Sequence, residues 1–424
     1  MFNDTGLVRK IKAQIGQFSG IISQGFSKPL RKFIKQMIYG IQASKDVKLS
    51  NISRVLNEQI RLIKTENRLS SNLDSVDFTE QINDQICRLA SNKVMDEMVI
   101  AIDPGDIRKR FAKHMENLCG IHDGSEHVVG NGYWLCKAVA ADIEHRSVIP
   151  LYCEAYSQDA TDYLSANNQL FKCIDKVSGH IGNKGIWAMD RGGDNRKLFS
   201  KLLSDKKRFV IRLQKTRDLV HRGTKKNCYE LAKCLPCPFQ MTIIKYEEGK
   251  EQRIPILFNA VSVKLPDRKE NLWLVVVKGF GKDPMMLLTN CTVNLKVKES
   301  VWRITEIYIT RWKCDESYRY IKQCYNLEDV RVRSYIGIRN IVVLVLAISY
   351  FAAVYLGQST KLKIMVERIY IFSKRFFAVP SFNNYAIADG LYNLLFPDKT
   401  GIESNREKEN RNKFQLNFDF GFDP

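Results

Sequence analysis

The sequence lacks any uncharged apolar run of the roughly twenty residues that a membrane-spanning helix needs. Its longest candidate, IVVLVLAISYFAAVYL at 341–356, stops at 16 residues. Arg339 and Lys361 stand on either side, so the basic residues signal no orientation. A buried core helix is expected there, and no membrane partner. The first residues, MFNDTGLVRKIK, lack the apolar stretch of a secretory signal. No internal repeat or low-complexity block is present, which excludes solenoids and compositionally biased tracts. Cysteine is not scarce, but its eleven copies are odd in number and dispersed from Cys87 to Cys324. That pattern is no disulfide framework and fits a reduced, cytoplasmic chain. Cys234-Leu-Pro-Cys237 lacks the second pair of a structural zinc site, although His221 and Cys228 lie near it in sequence.

Acidic residues are the other shortage. Lys and Arg number 66 against 46 Asp and Glu, a net charge of +20. The surplus is uneven. Residues 1–48 hold nine basic and two acidic residues, or +7, and residues 205–300 hold twenty and ten, or +10. Two separated basic regions suit a long polyanion better than a small acidic ligand.

What is present reads as a globular chain of two or three folding units, with 45% hydrophobic and 26% charged residues. Residues 1–95 show apolar residues at helical spacing, as in FIKQMIYGIQ, and form a helical domain that is either a DNA-binding head or a packing bundle. Residues 96–207 alternate strands and helices: EMVIAIDP, ending at Asp103, then GYWLCKAVAADI and RSVIPLYCEAY as strands, LSANNQLFKCIDKV as helix, GIWAMDRGGD as strand and turn, and NRKLFSKLLSD as helix. This predicts a mixed α/β sheet. Residues 208–300 carry five more strand-like runs and read as a β-rich insertion, in which RFVIRLQKTRDLVHRGTKK is either a DNA-binding or a solvated basic stretch. Helix returns over 301–360, and 361–424 is a C-terminal region whose polar end, from 401, reads as a loose tail.

VIAIDPG and IWAMDRGG share one form: an apolar strand, then Asp103 or Asp190, then a turn with glycine. A rigid sheet aims groups at such positions, although an aspartate there is also a common turn former. Asp106 and Asp194 stand close by as supports or turn residues. The stretch YITRWKCDESYRYIKQ, 308–323, supplies a third acid. At about 100° per residue, Tyr308, Arg311, Asp315 and Lys322 fall within roughly 60° of one helix face, whereas Glu316 points about 100° away from Asp315. Trp312 lies on another side and is expected in the core. An Arg311–Asp315 ion pair alone would leave Tyr308 and Lys322 unexplained. Arg and Lys suit phosphates, and three carboxylates suit two Mg²⁺ ions about 3.5–4 Å apart.

These residues resemble the DDE transposases of bacterial insertion sequences, specifically the insertion-sequence-four group. That group's signature is Tyr, two residues, Arg, three residues, Glu, six residues, Lys. Tyr308, Arg311, Asp315 and Lys322 meet the spacing, with Asp315 one methylene shorter than the family's Glu. Asp190-Arg191-Gly192 is similar to the family's second-acid motif, and LEDVRVRSY also looks like the family. The resemblance spans roughly residues 90–360. It implies a ribonuclease H-like core, divided here into 96–207 and 301–360, interrupted by the β-rich insertion. It implies catalytic and metal-binding Asp103, Asp190 and Asp315, two Mg²⁺ or Mn²⁺ ions, and DNA-contacting Tyr308, Arg311 and Lys322. The partners implied are double-stranded DNA of transposon ends and target, and a second copy of the chain on DNA, in the cytoplasm at the nucleoid. The function implied is cut-and-paste transposition. The alternative is a weakened or inactive DNA-binding relative, because of Asp315.

Overall fold

The computed structural model describes residues 4–124, 128–143, 148–247, 250–356 and 384–402. The tail expected at 401–424 lies outside them from residue 403 onward.

Five helices come first: α1 (Asp4–Ile22), α2 (Lys28–Ser44), α3 (Leu49–Leu56), α4 (Leu62–Ser75) and α5 (Thr79–Ala90). Lys45 and Asn57, both in the left-handed region, end α2 and α3. The buried faces of these helices belong to the same core as the sheet that follows, running from Leu7 through Ile102 and Tyr152 to Ile402. The link is α11 (Tyr335–Tyr350), whose apolar run packs against α2, α4, α5 and the sheet. Asn340 on α11 gives its amide N–H groups to the carbonyls of Leu73 and Val76 and accepts from Phe78 N. With the π-turn at Phe351–Tyr355, α11 makes a 21-residue segment of mean hydropathy 2.0, 83% buried within the protein. Among the described residues it is the one helix long and apolar enough to cross a membrane.

The sheet is mixed, and among the described residues it has ten strands. β1 (Val99–Arg108) is its axis. On one side β1 pairs antiparallel with β3 (Val128–Ala141) over its whole length, from Val99↔Ala141 to Arg108↔Gly132. The other flank of β3 carries β2 (Cys119–Asp123) and β4 (Val148–Tyr156), one after the other. On its other side β1 runs parallel to β5 (Ile186–Met189), and β5 to β6 (Phe209–Arg212). The crossovers are α6 (Ala166–Ile181), which Ser165 caps, and α7 (Arg196–Ser204), which Asn195 caps. Next come a small hairpin, β7 (Asp218–His221) with β8 (Thr224–Asn227), and a short helix, α8 (Cys228–Cys234). The chain then forms β9 (Phe239–Glu247), β10 (Lys250–Val263), β11 (Leu272–Lys278) and β12 (Met285–Thr289). These four continue the same sheet outward from β6 in the order β12, β11, β10, β9, all antiparallel.

Two further helices, α9 (Lys298–Thr310) and α10 (Trp312–Cys324), pack on the sheet: α9 on β5, β6 and the outer strands, α10 on β1 and β3. A last described helix, α12 (Asn384–Leu395), returns to α2. One strand departs from expectation. The strand expected to end at Asp103 continues to Arg108, because β3 goes on pairing it. Pro104, which has no N–H to give, comes where β1 has already lost its β5 neighbour.

Candidate carboxylate site

Asp103 and Asp190 meet through strand register. The last parallel pair between β1 and β5 is Ala101↔Ala188. Asp103 and Asp190 each follow that pair by two residues, so they stand level on neighbouring strands, about 5 Å apart in the pairing direction. Asp190 opens the turn Arg191–Gly193 and accepts a hydrogen bond from Gly192 N at 2.8 Å. Behind it, buried Asp194 accepts from Gln214 N (2.7 Å) and Arg217 Nε (2.7 Å), which fixes the turn to the segment after β6. Asp194 is therefore a support, as its place in sequence suggests.

The third acid arrives from the helices, and here the expected geometry changes. The signature stretch is not one continuous helix. It breaks at Arg311, whose N–H bonds back to Tyr308 O while its own carbonyl accepts from Cys314 N. Tyr308 stays with α9 among Val99, Ile186, Ala188 and Val210 and is 2% exposed, so its ring reaches no solvent. The single stripe of Tyr308, Arg311, Asp315 and Lys322 is thus divided, with Tyr308 backing the Arg311 guanidinium at 5.7 Å.

Arg311 is buried and lies between two acids. Its Nη1 is 3.5 Å from Asp103 Oδ2, and its Nη2 is 3.2 Å from Asp315 Oδ2. Asp315, on the first turn of α10, is 44% exposed, and Asp103 is 18% exposed. Burial first, then the charge of Asp190, pushes the Asp103 carboxyl well above its usual range; Arg311 pulls it down and Asp315 pushes it up again. Burial works against the Arg311 charge, but Asp315, Asp103, Tyr308 and Asp190 outweigh it and raise its pKa. Arg311 Nε is buried without a partner. So Asp103, Asp190 and Asp315 come into mutual electrostatic reach around one guanidinium. Glu316 turns to Arg319 instead, at 2.7 Å.

Lys322 sits further along. Its Nζ is 3.0 Å from Asp106 and 2.9 Å from Glu328, in the turn after α10. Burial opposes its charge, yet Glu328 and Asp106 hold its pKa above the ordinary value. The two anchor points explain the helix direction. Asp315 to Lys322 is seven residues, about 10 Å of helix. Asp103 to Asp106 is three residues, about 10 Å of strand. Helix α10 therefore runs along β1 in the same sense.

Two residues went unnoticed in the sequence. Lys137, opposite Asp103 on β3, is 1% exposed and donates to Ser317 O at 3.0 Å. Tyr318 donates its hydroxyl to Asp103 O at 2.6 Å. A lysine within the apolar run WLCKAVAA was the available signal for the first. Trp312, expected in the core, is 53% exposed at the start of α10.

Among the described residues no three His, Cys, Asp or Glu side chains stand close enough together to hold a metal ion, and Asp103, Asp190 and Asp315, with Arg311 between them, are no exception. This includes Cys234 and Cys237; the Cys228 thiol is buried and donates to Gln214 O. The three aspartates do offer the hard oxygen donors that Mg²⁺ or Mn²⁺ takes. The cation that the structure places among them is the Arg311 guanidinium.

No family model matches the chain, and no curated protein matches it. Among solved structures, it is similar to a piggyBac transposase seen by cryo-electron microscopy in a synaptic complex with hairpin DNA. The TM-score is 0.43 and the identity 10%, with 100% of this chain and 87% of that one covered.

Proposed function

We propose that the chain is a DDE-type transposase that cuts DNA at the ends of an element and joins those ends to target DNA. One observation carries this reading: aspartates from β1, from the turn after β5 and from α10 converge, leaving more negative charge than Arg311 neutralises. The antiparallel meander β4-β3-β1, followed by parallel β5 and β6, supports a ribonuclease H-like core. The strands between β6 and α9 form the insertion of this reading, with divisions near residues 95, 207, 300 and 360. Assignment to the insertion-sequence-four group rests on the spacing of Tyr308, Arg311, Asp315 and Lys322.

In this reading Asp103, Asp190 and Asp315 hold two Mg²⁺ or Mn²⁺ ions. Bound there, the ions supply activation of the attacking oxygen, from water and then from a DNA 3′-hydroxyl, and stabilisation of the leaving oxygen. Arg311 passes from the carboxylates to a phosphate oxygen, with Tyr308 behind it. Lys322 contacts the strand by exchanging Asp106 or Glu328 for phosphate. The duplex is bound by two copies of the chain, at the nucleoid. A second reading, a weakened DNA-binding relative, is favoured by the short Asp315 side chain and by the guanidinium held among the acids.

The test is cleavage of DNA carrying the inverted repeats that flank the coding region, with Mg²⁺ or Mn²⁺ and with EDTA. Metal-dependent nicks at the repeat ends are expected. Binding without cutting selects the second reading, and absence of DNA binding sinks both.

A further inference from the structure

The helix that carries Asp315 is covalently tied to the sheet's other cover, α9, only through the turn at Arg311. Something else must set its height and rotation over β1. Three contacts converge on that task. The Tyr318 hydroxyl, one turn after Asp315, donates at 2.6 Å to the carbonyl of Asp103, the residue bearing the first acid. Its ring lies over Gly105, where a Cβ would fall 2.7 Å from Tyr318 Cε1 and 2.8 Å from Cζ. Glycine is thus the slot into which the ring fits. From the other strand, the Lys137 ammonium stands 5.2 Å from the centre of the same ring and donates to Ser317 O. Lys137 is Asp103's register partner and Gly105 lies two pairs along, so all three contacts act within two residue pairs of the site.

A buried ammonium is costly, and packing alone would favour a leucine or methionine here. The return on that cost is directional: a donor and a cation fix one rotation of α10, where an apolar side chain would tolerate several.

We propose that Lys137 and Tyr318, with Gly105 as the slot, are positioning residues that latch α10 to β1 and set the Asp103–Asp315 spacing for divalent metal. This rests on the metal-site reading above. Groups behind metal ligands typically alter affinity 10- to 100-fold when removed.

The test measures Mn²⁺ binding to the full chain without DNA, by calorimetry and by the loss of the free Mn²⁺ resonance signal. Thermal unfolding is followed in EDTA alongside. Tyr318→Phe keeps the ring in its slot and deletes only the hydroxyl. About tenfold weaker Mn²⁺ binding is expected from it, and a similar or larger loss from Lys137→Met, with little change in the EDTA melting temperature. Gly105→Ala is expected to weaken binding at least as much. Wild-type affinity in Tyr318→Phe and Lys137→Met overturns the latch while leaving the metal site standing. If Lys137→Met does not fold, Tyr318→Phe decides alone. If the wild-type chain binds no more Mn²⁺ than Asp103→Ala, the metal reading fails and the latch falls with it.

Discussion

The two ends of α10 are built alike and differ in one respect. At its start, a cation from the helix break bridges Asp103 on β1 and Asp315. At its end, Lys322 bridges Asp106 on β1 and Glu328. The second cluster is balanced. Asp106, Glu328, Asp329 and Asp46 give −4, and Lys322, Lys109, Lys48 and Arg331 give +4. Lys109 donates to the carbonyls of Glu328 and Val330, and burial lowers its pKa to about 8 against the pull of Asp329 and Glu328. The first cluster is not balanced. Asp103, Asp190 and Asp315 give −3 against +2 from Arg311 and from Lys137 across the strand pair, an excess of one negative charge. One end of the helix is a finished ionic joint; the other has room for added positive charge.

If that contrast is functional, substitutions at the two ends part company. The largest effect is expected from Asp103→Ala and Asp190→Ala: loss of metal-dependent cleavage with DNA binding kept, whereas Asp106→Ala still cuts. Parental cutting rates in either of the first two would reduce that residue to a turn former. Next is the pair of adjacent acids. Asp315→Ala is expected to abolish cleavage, Glu316→Ala to keep most of it, and Asp315→Glu to keep or raise it; single-turnover assays check this. A dead Glu316→Ala beside an active Asp315→Ala would reverse the assignment.

A smaller effect is expected on stability. The folded-state pKa of Asp103 is raised, so its contribution to stability is present at low pH and is lost as pH rises through the raised value. In EDTA near pH 8, Asp103→Asn should therefore melt higher than wild type, and the gap should close toward pH 4. A lower melting temperature at pH 8 would mean that the Arg311 pair outweighs the crowding. At the balanced end, Asp106→Asn should cost about 1.5–3 kcal/mol in denaturant unfolding, the usual worth of a hydrogen bond to a charged group. The smallest effect concerns salt. DNA affinity should fall steeply with ionic strength, and Lys322→Met should lower the log–log slope by about 1. An unchanged slope would leave Lys322 as a joint and nothing more.

The first two acids were legible because each apolar run gives way to an aspartate two residues beyond a shared level of the sheet, which the sequence writes as VIAIDPG and IWAMDRGG. The helix break at Arg311 was not legible. TRWKCDE holds neither proline nor glycine, and the break comes from packing, since α9 and α10 cover different strands. The β7–β8 hairpin was written in Arg222-Gly223, both at positive φ as a tight hairpin turn requires, but its lysines drew attention as charge instead. β2 is only five residues, CGIHD, too short to show alternation. Helix α11 was expected in the core because the uncharged apolar run 341–356 stops at 16 residues; with its first turn the observed helix is long enough to cross a membrane, and what marks it as core is that 83% of it is buried.

The outer strands hold one more consequence. From β5 to β9 the sheet takes five steps, through β6, β12, β11 and β10, or about 24 Å at the usual strand spacing. No hinge interrupts that path, since every step is a ladder of backbone hydrogen bonds. The outer edge is thus a ruler graduated from the carboxylates. Measured across the strands, the distance from that edge back to the carboxylates is held at about 24 Å by the backbone ladder.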